Sequence, residues 1–423
     1  MPHQVAVTVR AKVDPARLDD VRAVLIGMTG NGAGRPNVPF DELTGVHFAR
    51  FALLPDATDL TGAALPASVV YMCDVDLPAE RHIAELADRA GSGLDAVFGH
   101  CVGYPGAPGP AARIAWLRTH LVKNAAVYVH TVGRSVDQIR AEAQLRGAIE
   151  EFLDRPDAVS AGVTATEAHR RVLAFVGSRP ELRWALRPPP GPGLPFRLRE
   201  AAHLIAVPAL GLLLAPVLVP VTVVVALRLL WLERRDVPDR VAPSADHLHE
   251  LERYEDFLAQ NPFTSIGLVK AGIVRRLALR SALFLLGYFL RHIYNRDNLA
   301  GVRTIHFARW LPVDRGRRAV FASNYDGSVE SYMDDFIDRL ALGLNFVFNH
   351  GNGYPATRWL VFGGASDELA FKRFLRRHQL PTQVWYSAYG QLSARNVDNN
   401  TRLRRGLSQS LTGSAAADWL ALL

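Results

Sequence analysis

With 423 residues, 49% hydrophobic and 21% charged, the chain is too apolar for a disordered protein and has room for two domains or more. Its net charge of +7 is compatible with nucleic acid, an anionic membrane surface, or neither as a partner. Many basic residues (Arg197, Arg199, Arg228, Arg234, Arg235, Arg275, Arg276, Arg280) border apolar runs and are not interleaved with aromatics, which favours membrane lipid and argues against nucleic acid.

Val5–Val13 alternates apolar and polar residues, which predicts a strand. Asp14 is placed to cap a following helix with Pro15 at its first position and Leu18, Val21, Val24 and Leu25 on its apolar stripe; Gly27–Gly34 ends it. Strands are expected at Val46–Leu54 and Ser68–Val75, and a helix after Pro78 carries Ile83, Leu86, Ala87 and Ala90 on one face. A fourth strand at Ala126–His130 completes a β-α-β-β-α-β ferredoxin-like unit, and a helix over Val136–Leu153 follows it.

A second unit is expected in the same order. Its strands are Ser265–Lys270, Arg303–Val313, Ala319–Tyr325 and Gln383–Tyr389, with an extra short strand at Trp359–Phe362. Its helices are Arg275–Tyr294, Ser328–Leu340, Asp367–His378 and Ser393–Leu407. The two units share words as well as order. His47-Phe48-Ala49-Arg50 returns as His306-Phe307-Ala308-Arg309. Gly93-Leu94, Val97-Phe98, His100 and Gly103-Tyr104-Pro105 return as Gly343-Leu344, Val347-Phe348, His350 and Gly353-Tyr354-Pro355. Leu117-Arg118-Thr119-His120 is matched by Leu375-Arg376-Arg377-His378. Collinear blocks of this kind indicate an internal duplication.

The expected fold class is therefore α+β: two ferredoxin-like repeats, residues 1–185 and 261–423, packed as an intramolecular α/β barrel around a membrane-associated linker at 186–260. In topology the chain resembles the dimeric α/β-barrel superfamily, which includes small monooxygenases, chlorite-dismutase-type haem proteins and dye-decolourising peroxidases. Locally, Ile305–Trp310, Ser323–Ser328 and Pro381–Tyr386 look like the signatures of a bacterial family. The resemblance implies a peroxidase- or monooxygenase-like oxidoreductase, with haem as the cofactor it would bring.

In the linker, Arg187–Pro195 is a stiff proline-rich spacer, and Leu204–Leu227 is free of charge and long enough to cross a bilayer. A single crossing would put the two units on opposite sides. Pro208, Pro216 and Pro220 allow a re-entrant or in-plane hairpin that turns near Ala215-Pro216. The Arg275–Tyr294 helix, apolar with arginines around it, reads as an interfacial helix. The expectation is a monotopic protein with both units at the cytoplasmic face of the cell membrane, its partners being lipid and an apolar small molecule. No cleaved secretory signal is expected. Cys73 and Cys101 have no CxxC spacing and build neither a disulfide framework nor a thiolate metal site.

His306 and Arg309 lie on a strand, where alternation sets His306 with Ala308 and Trp310, opposite Ile305, Phe307 and Arg309. Their copies His47 and Arg50 make a structural role the simpler reading; acid/base or ligand chemistry at His306 is the functional one. His350 and Tyr354 stand in a glycine-rich loop that is either a binding loop or a turn. Asn324, Asp326 and Gly327 depart from the first unit, which has Asp74 and Asp76. Asp326 with Gly327 and Ser328 can form a turn and helix cap. Under the peroxidase resemblance, which retains only Asp-Gly of a GxxDG signature, Asp326 with Arg309 or Arg358 is instead a distal acid/base pair. His350 or His306 is then the proximal ligand. The candidate catalytic residues are Asp326, Arg309 and His306, and the candidate cofactor-binding residues are His350, Asn324, Tyr354 and Arg358. A non-catalytic binding or scaffold protein at the membrane surface is the alternative, since no P-loop, HExxH, GxSxG or Rossmann fingerprint occurs.

Overall fold

A computed structural model describes residues 4–28, 38–76, 78–106, 109–155, 163–188, 191, 193–294 and 299–423. The stretches Gly27–Gly34, Gly103–Pro110 and Arg187–Pro195 lie partly outside these residues. The chain is a mixed α/β protein with antiparallel sheets.

Its first half runs β1 (Val5–Lys12), α1 (Leu18–Gly27), β2 (Val46–Leu54), a small ribbon β3 (Ala57–Thr58) and β4 (Ala64–Leu65), then β5 (Ser68–Val75). Helices α2 (Ala79–Arg89), α3 (Gly91–Phe98) and α4 (Pro110–Thr119) follow, then β6 (Ala126–Val129), α5 (Val136–Leu153) and α6 (Ala165–Ser178). Next come α7 (Leu194–Leu213), α8 (Ala215–Glu233) and α9 (Ala245–Glu252). The second half runs β7 (Gln260–Leu268), α10 (Ile273–His292), β8 (Ile305–Val313), β9 (Arg318–Asp326) and α11 (Val329–Phe348). It ends with the ribbon β10 (Thr357–Arg358) and β11 (Phe362–Gly363), α12 (Glu368–His378), β12 (Val384–Ser387), α13 (Ala394–Gly406) and α14 (Gly413–Leu420).

Local chemistry explains most boundaries. Asp14 accepts from Ala16 N and opens a short 3-10 turn before α1. Ser328 caps α11, Asp367 caps α12, and Ser393 with Asn396 forms a capping box on α13. Other boundaries differ from expectation. β7 starts at Gln260, five residues before the predicted Ser265, because it pairs along its whole length with β9. Trp359 and Leu360, expected in a strand, have φ of 57° and 66° and form the tip of the β10–β11 ribbon.

The larger correction concerns strand partners. The sheet orders are β1-β5-β2-β12 and β6-β8-β9-β7. The strand expected to complete the first unit, β6, instead pairs with β8 of the second half, and β12 pairs with β2 of the first. The registers match: Ala126 faces Trp310 and Val129 faces Phe307, while Val384 faces Phe51 and Ser387 faces Phe48. Each half thus depends on the other to finish its sheet.

Helices cover one face of each sheet. Phe51 and Tyr71 pack with Leu86, Leu94 and Phe98 in the first half, and Phe263 and Phe321 with Leu283, Tyr332 and Phe336 in the second. On the other faces, Ala52, Leu54, Val70 and Met72 share a cluster with Leu311, Val313, Val320 and Ala322. A further core joins α5 and α6 to α13 and α14 around Leu145, Val172, Leu403 and Trp419.

The charge-free linker folds as α7 and α8, separated at Leu214. Both ends land on α10. Glu200 pairs with Arg291 and Leu204 O accepts from Tyr288, while Asp236 pairs with Arg275 and Lys270. A straight helix from Glu200 to Asp236 would span about 54 Å, against about 24 Å between Arg275 and Arg291 on α10. The α7–α8 segment must therefore bend into an arch. Pro216, which has no N–H for the preceding turn, marks the break.

Candidate functional site

The facing sides of the two sheets hold two buried arginines. Arg309 reaches across from β8 to Val7 O, Cys73 O, Thr8 and the carboxylate of Asp74. Its sequence counterpart Arg50 reaches the opposite way, to Phe263 O, Ser323 O, Thr264 and Asn324. Both arginines and both partners are buried. The difference lies in the partner. Arg309 meets a carboxylate, whereas every acceptor of Arg50 is neutral. Burial, with the nearby charge of Arg309, pulls the Arg50 guanidinium down to about 9. Asn324 Oδ1 also accepts from Trp385 Nε1 at 3.0 Å, a donor for which the first half offers only Val127.

His306 and Asp326 do come together, at 2.7 Å. The other carboxylate oxygen of Asp326 accepts from Ala394 N, at the start of α13. The first half repeats this with His47, Asp76 and Val136 N at the start of α5. Neither Arg309 nor Arg358 touches Asp326: Arg309 is committed to Asp74, and Arg358 is exposed on the β10–β11 ribbon. The distal acid/base pair expected from the peroxidase resemblance is not assembled. Asp326 ties a strand histidine to a helix N-terminus, where a carboxylate is favoured.

The alternation expected for His306 also fails. A register shift between Ile305 and Phe307 turns its ring toward Phe48, 5.5 Å away, and not toward Ala308 and Trp310. An equivalent shift lies between Val46 and Phe48. The two histidines then diverge, since His47 Nδ1 bonds Tyr389 Oη at 2.8 Å while His306 Nδ1 is buried and unpaired.

Tyr354 serves the turn. It follows Gly353, whose φ is +76°, and its hydroxyl donates to Asn345 Oδ1 at 2.8 Å. His350 is buried beside the second half's helix-side core. The seven sequence candidates therefore fall into an inter-sheet group (His306, Arg309, Asn324, Asp326), two residues around one loop (His350, Tyr354) and one at the surface (Arg358).

Outside the seven candidates stands His130, whose Nε2 meets Asp398 at 2.9 Å while Arg134 holds the other oxygen of that carboxylate. Polar networks are thus distributed over both halves and not concentrated in the second. The signal that could have pointed here was the lone histidine ending an otherwise apolar strand.

Haem was the cofactor implied by resemblance. The space beside His350 is about 60 Å³, far below the roughly 300 Å³ at which pockets for drug-sized ligands begin. His306 is walled by Phe48 and, at 6.2 Å, Tyr389. The residues present do not fit a haem at either histidine. Comparison with protein-family models, curated proteins and solved structures finds no match for this chain.

Burial does have a consequence for pH. Loss of solvation brings His82 and His350 down to about 4, with Lys270 and Arg275 adding to the effect at His350. Both folded values lie below the ordinary 6.5, so the unfolded chain takes up protons first as pH falls. Their contribution to stability is present above pH 6.5 and is lost between 6.5 and 4, at about 1.4 kcal/mol per pH unit for each histidine. Thermal midpoints measured through this window are expected to fall with acid, and His350→Gln is expected to make the slope shallower.

Proposed function

We propose that the chain is a monotopic membrane-surface protein, held at the cytoplasmic face by the α7–α8 arch, and that it acts by binding and not by the peroxidase-like chemistry its topology suggests. One observation carries this reading: a largely exposed apolar pair of helices, α7 and α8, whose two outer ends return to the same helix of the body. α8 has a mean hydropathy of 2.1 and is long enough to cross a bilayer, and 6% of it is buried. Leu212, Leu213, Val217, Val219 and Val224 are exposed around the bend. A helix apolar all round is stable in water only when something covers it. α10 adds exposed Ile273, Leu277 and Phe284. Arg228 and Arg235 lie 4.1 and 3.5 Å from the Trp231 ring at the foot of α8, an arrangement suited to lipid headgroups.

We also infer that the two halves arose by duplication of one ferredoxin-like unit and pack as a barrel-like pair of sheets. Matching bridges support this: Val9 with Leu121 and Val13 with Cys101 in one half, Ser265 with Gln379 and Val269 with Gly351 in the other. An oxidoreductase would need an acid, a base and a cofactor to converge, whereas His306 and Asp326 are engaged in joining a sheet to a helix and Arg309 in joining the two sheets.

The full chain, purified in detergent and returned to vesicles containing anionic lipid, is expected to float with them. Tags at residues 1 and 423 are expected to be equally open to protease. Protection of one tag alone would replace the arch with a span, and a chain that stays in solution without detergent would end the membrane reading.

A further inference from the structure

The sheet of the second half encloses a cavity of about 60 Å³ beneath α10, α12 and the end of α11. Leu279, Leu283, Val347, Phe348 and Phe374 supply apolar walls, and no Asp, Glu, Lys or Arg lines it. Two of its lining residues leave a buried nitrogen unpaired: Nε1 of Trp310 and Nδ1 of His350. Trp310 is 6% exposed, as is His350. A buried N–H without an acceptor costs about 1–3 kcal/mol, so the indole N–H on this cavity calls for an occupant. A third lining residue, His378, gives Nδ1–H to Phe374 O at 2.8 Å, which leaves its Nε2 lone pair as an acceptor.

At the matching places the first half shares the unpaired histidine nitrogen, Nδ1 of His100, but has no unpaired indole N–H. Phe51 holds the strand position of Trp310 and has no N–H to satisfy. Trp116, in the place of Phe374, donates to Gly103 O at 3.1 Å and stacks on His120 at 3.9 Å. Val9 stands where the second half has Ser265, both bridged to the start of the segment after the preceding helix. The same framework carries an unpaired indole donor over a cavity in the second half, where the first half has Phe51 and a hydrogen-bonded Trp116.

We infer that this cavity is a binding site for a small, uncharged, largely apolar molecule carrying one carbonyl or hydroxyl oxygen, which accepts from Trp310 Nε1–H. Its volume holds the equivalent of roughly four or five waters. The absence of charge on the walls excludes an ionic ligand, whose desolvation nothing there would offset. Burial keeps His350 neutral, consistent with an uncharged occupant. The inference stands on the cavity and not on the membrane reading, so either can fail alone.

The test uses 2-butanone as the oxygen-bearing probe and 2-methyl-1-butene as its apolar isostere, with the indole N–H signals of the seven tryptophans followed by ¹⁵N NMR on the full chain. Trp310→Phe assigns the Trp310 signal. A saturable shift of that signal with 2-butanone, and a smaller one with the isostere, is the expected result. Phe374→Trp, which reproduces the filled arrangement of Trp116, is expected to abolish the shift; Ser265→Val serves the same purpose if that variant does not fold. No saturable shift, an equal shift in the filled variants, or an indole in contact with buried water only and indifferent to the probe would each overturn the assignment.

Discussion

Replacing Asp74 with Asn is expected to destabilise the protein by about 3 kcal/mol, the low end of the cost of leaving a buried charge without its partner. The substitution keeps an oxygen for Arg309 but removes the only carboxylate bonded to either inter-sheet arginine. Arg309, and Arg50 whose hold on its charge burial and Arg309 already weaken, would then share neutral acceptors alone. Asn324→Asp offers the decisive comparison. It places a carboxylate against Arg50 at a position that already accepts from that arginine and from Trp385. In the double variant the charge is moved from one pair to its counterpart, and most of the lost stability is expected to return. Thermal midpoints of the four proteins form a double-mutant cycle. Losses that simply add would mean that the two pairs are not equivalent devices.

The second large effect is expected at the arch. Leu212→Asp with Val219→Asp puts a carboxylate on each leg close to the bend, at positions 78% and 59% exposed, where folding of the body is not involved. Each Asp in an apolar helix centre costs about 2.5–3.5 kcal/mol on insertion scales. Two amount to at least about 5 kcal/mol, or roughly three to four powers of ten in partition between bilayer and water. Vesicle flotation of the doubly substituted chain is expected to fail, while its thermal midpoint stays near that of the unsubstituted protein. Retained flotation would place the attachment elsewhere, with the exposed apolar side chains of α10 next in line.

Both predictions turn on residues whose importance depends on what faces them. The chain's periodicity was enough for the elements: Val46–Leu54, Ser68–Val75 and Val136–Leu153 match the observed spans, because alternation, caps and helical stripes act over a few residues. The same locality made Ser328 and Ser393 readable as helix starts, and placed a turn at Ala215-Pro216. It could not identify strand partners. β6 and β12 each read as the last strand of their own half, and an extended segment with an apolar face fits any sheet edge of the right register. Only the three-dimensional arrangement sends β6 to β8 and β12 to β2.

The site followed the same division. From the sequence alone, the composition of the linker set the membrane expectation, and the repeated His-Phe-Ala-Arg words marked two strands as one theme. Whether His306, Arg309 and Asp326 converge was decided by tertiary contacts: a register shift that turned one side chain, and an arginine long enough to cross to the other sheet. Hydrogen-bond geometry depends on distance and direction in space, which spacing along a chain does not encode. The empty volume beneath α10 was likewise invisible beforehand, because a cavity is the difference between how residues pack and how they could have packed.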